Sequence, residues 1–286
     1  MRRVLVALVA VFSVGTNLVC AQTPSDSRLK RIVDTKSIKI AYRSDATPFS
    51  FRNDQKNPDG YTIDLCKLIV SSMEKQLGVQ GLKIDWVPVT TQTRFEAVAN
   101  NQADMECGSS TITLGRMRQV DFSNIIFVET TGVVVNASAG INTASDLKAK
   151  KVAVVSGTTN EQTLVNLRTQ GKLDVIIVPV KDREEGIAQL EGGKVDAYAS
   201  DKLLLVGAKF EGGTALKLLP DDLSIEPYGI ALPHGDWALR LAVNTGLAQI
   251  YGSGLIIEIF KKWFDQIGLR PGLLIGAAYQ FGALSD

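Results

Sequence analysis

Residues 104–116 read DMECGSSTITLGR: a strand pattern that runs into Ser109, Ser110 and Thr111, with Arg116 five residues past the last hydroxyl. Hydroxyls and free backbone N–H groups beside a guanidinium suit the holding of a small carboxylate rather than the breaking of bonds. The segment closes a longer unit. Upstream lie an expected strand at 38–42 and a helix over 62–77, with Leu65, Ile69, Met73 and Leu77 on one face and Gly78 as its stop. A strand at 83–89 follows, then a short helix opened by Thr93 with Glu96 three residues on, and a strand at 104–107.

The same order recurs downstream. A strand at 151–155 leads to a helix over 159–167, a strand at 174–178, a helix opened by Asp182 with Glu185 behind it, and a strand at 195–199. Even the local wording repeats: Phe95-Glu96-Ala97-Val98 precedes Asp104-Met105-Glu106 and Ser109, and Gly186-Ile187-Ala188 precedes Asp196-Ala197-Tyr198 and Asp201. Alternating strands and helices predict an α/β chain with two parallel-rich sheets, each covered by helices on both faces. Its length suffices for two lobes. Open α/β sheets meet ligands at the carboxyl ends of their strands, so Ser109 and Asp201 are delivered to corresponding edges of opposing lobes. Hydroxyls and arginine on one side and a carboxylate on the other fit an α-amino acid.

The first 21 residues carry their own pattern. Arg2 and Arg3 precede an apolar run over 4–14, and Val19-Cys20-Ala21 supplies the small residues of a processing site, so an export signal with cleavage after Ala21 is expected. The run is too short for a membrane span. A lipoprotein with Cys20 acylated fits less well, because Leu18 stands one place late. The chain has 31 Lys and Arg against 30 Asp and Glu, and loss of Arg2 and Arg3 turns the balance to −1. Nucleic acid is therefore not an expected partner. His234 is the one histidine and sits in a Pro-His-Gly-Asp turn, so no metal is expected and no cofactor is implied. Cys66 and Cys107 either form a disulfide in an oxidising compartment or leave Cys66 as a buried thiol.

In several segments the chain resembles the periplasmic solute-binding proteins of ABC importers for polar amino acids, nearest to the glutamate/aspartate-binding members. The likeness runs over 38–264. It is carried by Tyr42-Arg43 with Pro48-Phe49, Gly60-Tyr61 with Asp64-Leu65, VTTQTR at 89–94, ECGSST at 106–111 through Arg116, Asp121-Phe122-Ser123, SGTT at 156–159 and DAYASD at 196–201. The resemblance implies a two-lobed periplasmic binding protein fold of type II, with the ligand in the cleft between lobes. It implies that Arg116, helped by Ser109, Thr111 and Thr159, clamps an α-carboxylate, that Asp201 receives the ammonium, and that Arg43, Thr91 and Arg94 meet a side-chain carboxylate. Arg183 stands where such members often have histidine. That departure keeps a permanent cation, with a longer reach that either resizes the ligand space or turns to solvent.

The expected protein is thus not an enzyme. It is a monomeric periplasmic receptor that hands glutamate or aspartate to an inner-membrane ABC permease. The alternatives are a binder of glutamine or asparagine, with Arg43 and Arg94 turned away, and an exported cyclohexadienyl or prephenate-type dehydratase using Asp182 or Glu184 as acid. By resemblance, lobe 1 comprises 28–130 and 230–270, lobe 2 comprises 131–229, and the crossovers fall near 129–132 and 226–229. The Gly/Ala-rich stretch at 271–286 reads as a loosely packed arm.

Overall fold

Two five-stranded sheets carry the chain in a computed structural model that describes residues 26–207 and 215–284; the expected leader at 1–21 lies outside them. The first sheet is ordered Lys83–Val89, Ser37–Arg43, Met105–Glu106, Ala231–Pro233, Val120–Phe122. Its first three strands run parallel, from Ser37 opposite Lys83 to Arg43 opposite Val89, and the last two pair antiparallel. The second sheet repeats the plan. Val175–Val180, Lys150–Val155 and Ala197–Asp201 are parallel, and Thr131–Asn136 and Leu216–Leu218 add antiparallel edges.

Alternation along each central strand buries both faces. Ile38, Ile40 and Tyr42 point into the large core beneath the helix Tyr61–Leu77, while Ala41 packs with Val89, Ala97 and Ala103 on the other side. In the second sheet Val152 and Val154 join Leu147 and Leu164, and Ala153 and Val155 join Leu190 and Val195. Leu65, Ile69 and Met73 on the long helix are fully buried, each removal from water being worth about 1.5 to 3 kcal/mol before chain entropy is counted. Gly78 ends that helix in the left-handed region at φ 64° and donates back to Glu74 and Lys75.

Two helix starts that read alike in sequence are built differently. Asp182 caps Arg183–Glu191 by accepting from the Glu185 N–H at 2.9 Å. Thr93 does not cap Arg94–Ala99; its hydroxyl instead accepts from the Thr90 N–H at 3.0 Å, closing a local turn. The capping box expected at Thr93 and Glu96 is absent because the Thr90 backbone takes the hydroxyl first.

Trp237–Gly252 and Leu255–Phe264 return to the first core through Leu239, Val243, Leu247, Phe260 and Phe264, with Ile257 facing outward. Phe127 packs among Phe49, Tyr61, Tyr228, Phe260 and Phe264, which places Phe49 in the core. The crossover strands Phe127–Glu129 and Glu226–Tyr228 pair antiparallel, with Glu226 opposite Glu129. A bond between Cys66 and Cys107 ties the long helix to the end of the strand Met105–Glu106.

The tail corrects an expectation. Rather than a loose arm, Leu273–Gly282 is a helix anchored by buried Ile275 and Tyr279, with the Tyr279 and Tyr61 hydroxyls 2.7 Å apart. Leu273, Leu274 and Phe281 point outward. Among the described residues no helix is long and apolar enough to cross a membrane.

Candidate functional site

Where the carboxyl ends of the two sheets face each other lies a narrow cavity of about 30 Å³. Arg43, Thr91, Arg94, Ser109 and Thr111 line it from the first sheet's side, and Thr159, Arg183 and Asp201 from the second's. These are eight of the nine residues expected from sequence. Arg43 ends the strand Ser37–Arg43 and Asp201 ends Ala197–Asp201. Arg94 and Arg183 each open the corresponding helix of their unit, where the helix dipole disfavours a cation unless an anion is near. The two sides touch: the Thr111 and Thr159 hydroxyls are 3.3 Å apart, and Gln92 Nε2 donates to the Lys181 carbonyl at 2.8 Å.

Arg116 is not among the lining residues. Its Nη1 donates to the Thr111 carbonyl at 2.8 Å and its guanidinium lies 5.1 Å from the Phe95 ring centroid, one layer behind the surface. Arg94 stacks on the same ring at 4.8 Å. Arg43 carries its own counter-ion, with Nε 2.7 Å from Asp45 Oδ1 and Nη2 2.8 Å from Oδ2. Arg183 donates to the Leu204 carbonyl at 3.1 Å. Arg94 is 4 % exposed and, like Arg116 and Arg183, forms no ion pair with a carboxylate among the described residues; its Nε alone of the four arginines is buried without a hydrogen-bond partner. Asp201 occupies the N-cap position of Lys202–Val206 without capping it, which leaves its carboxylate to the cavity.

The sequence pattern of the bacterial extracellular solute-binding proteins, family 3, matches residues 38–266. The chain belongs to this family. Among its relatives, an L-glutamate/L-aspartate-binding protein of Pseudomonas aeruginosa is 36% identical over 246 residues, covering 83% of this chain and 80% of the relative. The glutamate/aspartate import solute-binding protein of Escherichia coli is 32% identical, covering 85% and 82%. A solved ancestral arginine-binding protein bound to glutamine superposes with a TM-score of 0.69 at 29% identity, covering 80% of this chain and 98% of that one. The solute-binding protein described here has the same bilobed, type II architecture, with two sheets flanked by helices. Its family binds solutes and does not transform them. Asp182 and Glu184, the acids a dehydratase would recruit, do not line the cavity.

The electrostatics of the binding protein's cleft are set by burial. Desolvation, with Arg116 and Arg43 adding like charge, pushes the Arg94 pKa down to about 9. Burial works against Arg43 as well, but Asp45 more than offsets it and raises that pKa. On the opposite wall burial raises the Asp201 pKa, Glu226 adds to the rise, and Tyr228 and Asn160 oppose it. Burial, with Asp201 as neighbour, raises Glu129 to about 8.

Several participants escaped sequence reading. Asp45 follows Arg43 by two residues, yet nothing in the linear pattern says that the chain turns back there. Tyr198 and Asn160 line the second wall, and Tyr228 bridges to Thr111 across the crossover. Only Tyr198 offered a cue, three residues before Asp201 on the same strand.

Proposed function

We propose that this protein is the extracytoplasmic receptor of an amino-acid ABC importer and that its ligand is an acidic L-amino acid, glutamate or aspartate. The observation that carries the reading is Arg94, a buried guanidinium with no carboxylate of its own in a cleft that also presents Arg43 and Arg183. Burying a cation without a direct ion-pair partner costs several kcal/mol unless an anion arrives to meet it. Across the cavity Asp201 suits an ammonium, so one molecule bearing two carboxylates and one ammonium satisfies both walls. Thr111, Ser109 and Thr159 complete the α-carboxylate cradle, and Arg116 steadies it from behind through the Thr111 carbonyl.

The names carried by the Pseudomonas aeruginosa and Escherichia coli relatives support this ligand class. We place 28–130 and 230–270 in one lobe and 131–229 in the other, with the paired strands Phe127–Glu129 and Glu226–Tyr228 as the joint. Ligand contacts from both walls favour the closed arrangement, which an inner-membrane permease then reads. Export to the periplasm follows from the leader at 1–21.

One observation favours a neutral amide instead: Asp45 already neutralises Arg43. Calorimetric titration with glutamate, aspartate, glutamine and asparagine decides between them. A buried cation should discriminate against the amides by about 30-fold or more, and equal affinities would overturn the acidic reading.

A further inference from the structure

Behind the arginines lies a carboxylate that the ligand reading leaves unused. Glu106 is fully buried on the short strand Met105–Glu106. Its Oε2 accepts from the Ser110 hydroxyl at 2.7 Å, and its Oε1 has no hydrogen-bond partner. The backbone beside it leaves room for this side chain and no other. A Cβ at Gly108 would stand 2.0 Å from Glu106 Oε1 and 3.2 Å from Arg43 Cγ, so the carboxylate and the arginine stem share the space that any side chain at 108 would claim.

Glu106 forms no direct ion pair among the described residues, so its effect on the cations is exerted through space. Burial acts most strongly on each of the three arginines; against it Asp45 does most for Arg43 and Glu226 for Arg116, and Glu106 and Asp201 both add to the charged state of Arg43, Arg94 and Arg116. The two acids differ in where they ride. Glu106 and the three arginines belong to elements of the first sheet's side: Met105–Glu106, Ser37–Arg43, Arg94–Ala99 and Arg116–Arg118. Asp201 belongs to the second sheet. When the two sides part to admit a ligand, Asp201 leaves with its sheet and Glu106 stays.

We propose that Glu106 is a positioning and specificity-setting residue, a resident counter-charge that keeps three guanidinium groups together in the open cleft without occupying the ligand's place. The inference rests on the reading of this cleft as an anion site. Three like charges in a poorly solvated pocket repel strongly, and a carboxylate set behind them relieves that repulsion at the expense of some attraction for the incoming anion.

Glu106→Gln tests it, since the amide retains an acceptor for Ser110 and deletes only the charge. The variant should melt lower than wild type without ligand, recover with added sodium chloride more steeply, and gain more in melting temperature from saturating glutamate. Its glutamate affinity should rise about tenfold relative to its glutamine affinity. Glu106→Asp, which keeps the charge, should retain wild-type selectivity. Glutamate and glutamine affinities that shift by a common factor, or not at all, overturn the proposal. So does loss of folding in both variants, which would assign Glu106 to the core. Wild-type titration reports separately on the ligand class, and the salt dependence of ligand-free melting tests the counter-charge whether or not glutamate is the ligand.

Discussion

Arg43 and Asp45 meet in a two-pronged ion pair, Nε to Oδ1 at 2.7 Å and Nη2 to Oδ2 at 2.8 Å, just past the end of the strand Ser37–Arg43. The pair sorts the arginines by availability: Arg43 arrives already matched, and Arg94 does not. Arg94→Met should therefore lower glutamate and aspartate affinity by roughly 30-fold to several thousand-fold, the range for unpairing a buried charge, while glutamine affinity changes far less. Isothermal titration with each ligand measures this. Equal losses for acid and amide would make Arg94 general scaffolding.

Asp45→Asn releases Arg43 from its counter-ion. Glutamate affinity should then increase several-fold and become more sensitive to ionic strength, because one more unmatched cation faces the cavity. A fall in affinity would mean that Asp45 aims Arg43 rather than masking it.

Arg116→Ala removes the donor to the Thr111 carbonyl, not a wall of the cavity. Acidic and neutral ligands should weaken together, by about 1.5 to 3 kcal/mol, as expected for a lost hydrogen bond from a charged donor. An effect confined to acidic ligands would place the guanidinium on the ligand's side chain, and native affinity would remove it from the site.

The pH profile of stability follows from Glu129, whose pKa in the folded chain is raised by burial to about 8. Between the unfolded carboxylate range and pH 8 the native state binds a proton that the unfolded chain has released. Stability therefore falls as pH rises through that window and levels off above it. Asp201 and Glu106 shift in the same direction. Denaturant midpoints of ligand-free protein from pH 5 to 9 should decline, and Glu129→Gln should flatten the decline. An unchanged slope in that variant would exclude Glu129 as its source.

Reduction of the Cys66–Cys107 bond should cost about 2 to 4 kcal/mol of stability by freeing the 41-residue separation in the unfolded chain. Denaturant unfolding with and without reductant gives the difference. No difference would mean that residual structure already restrains that segment.

The duplicated strand–helix order was legible because burial on both faces leaves a continuous apolar pattern, as at Ile40 to Tyr42 and Val152 to Val155. Strand ends were legible too, and with them Arg43 and Asp201. Depth was not. Arg116 and Arg94 look alike in a linear reading and both pack on the Phe95 ring, yet only Arg94 lines the cavity. The tail helix was hidden for a related reason: LLIGAAYQFG has no side-chain cap at Gly272 and gains its stability from Tyr279 docking on Tyr61, a contact 218 residues distant. The Thr93 box failed because a hydroxyl three residues from another backbone N–H has two equally local partners.

The covalent tie at Cys107 sits two residues before Ser109, so the cradle loop hangs from a fixed point rather than from a free strand end. In kinetic terms, an arriving solute meets a half-site whose donors are already in register, and little search remains inside the loop. Capture should then be paced by diffusion into the opening and by the swing of the opposite half. Escape, by contrast, should be timed by how often that half lets go.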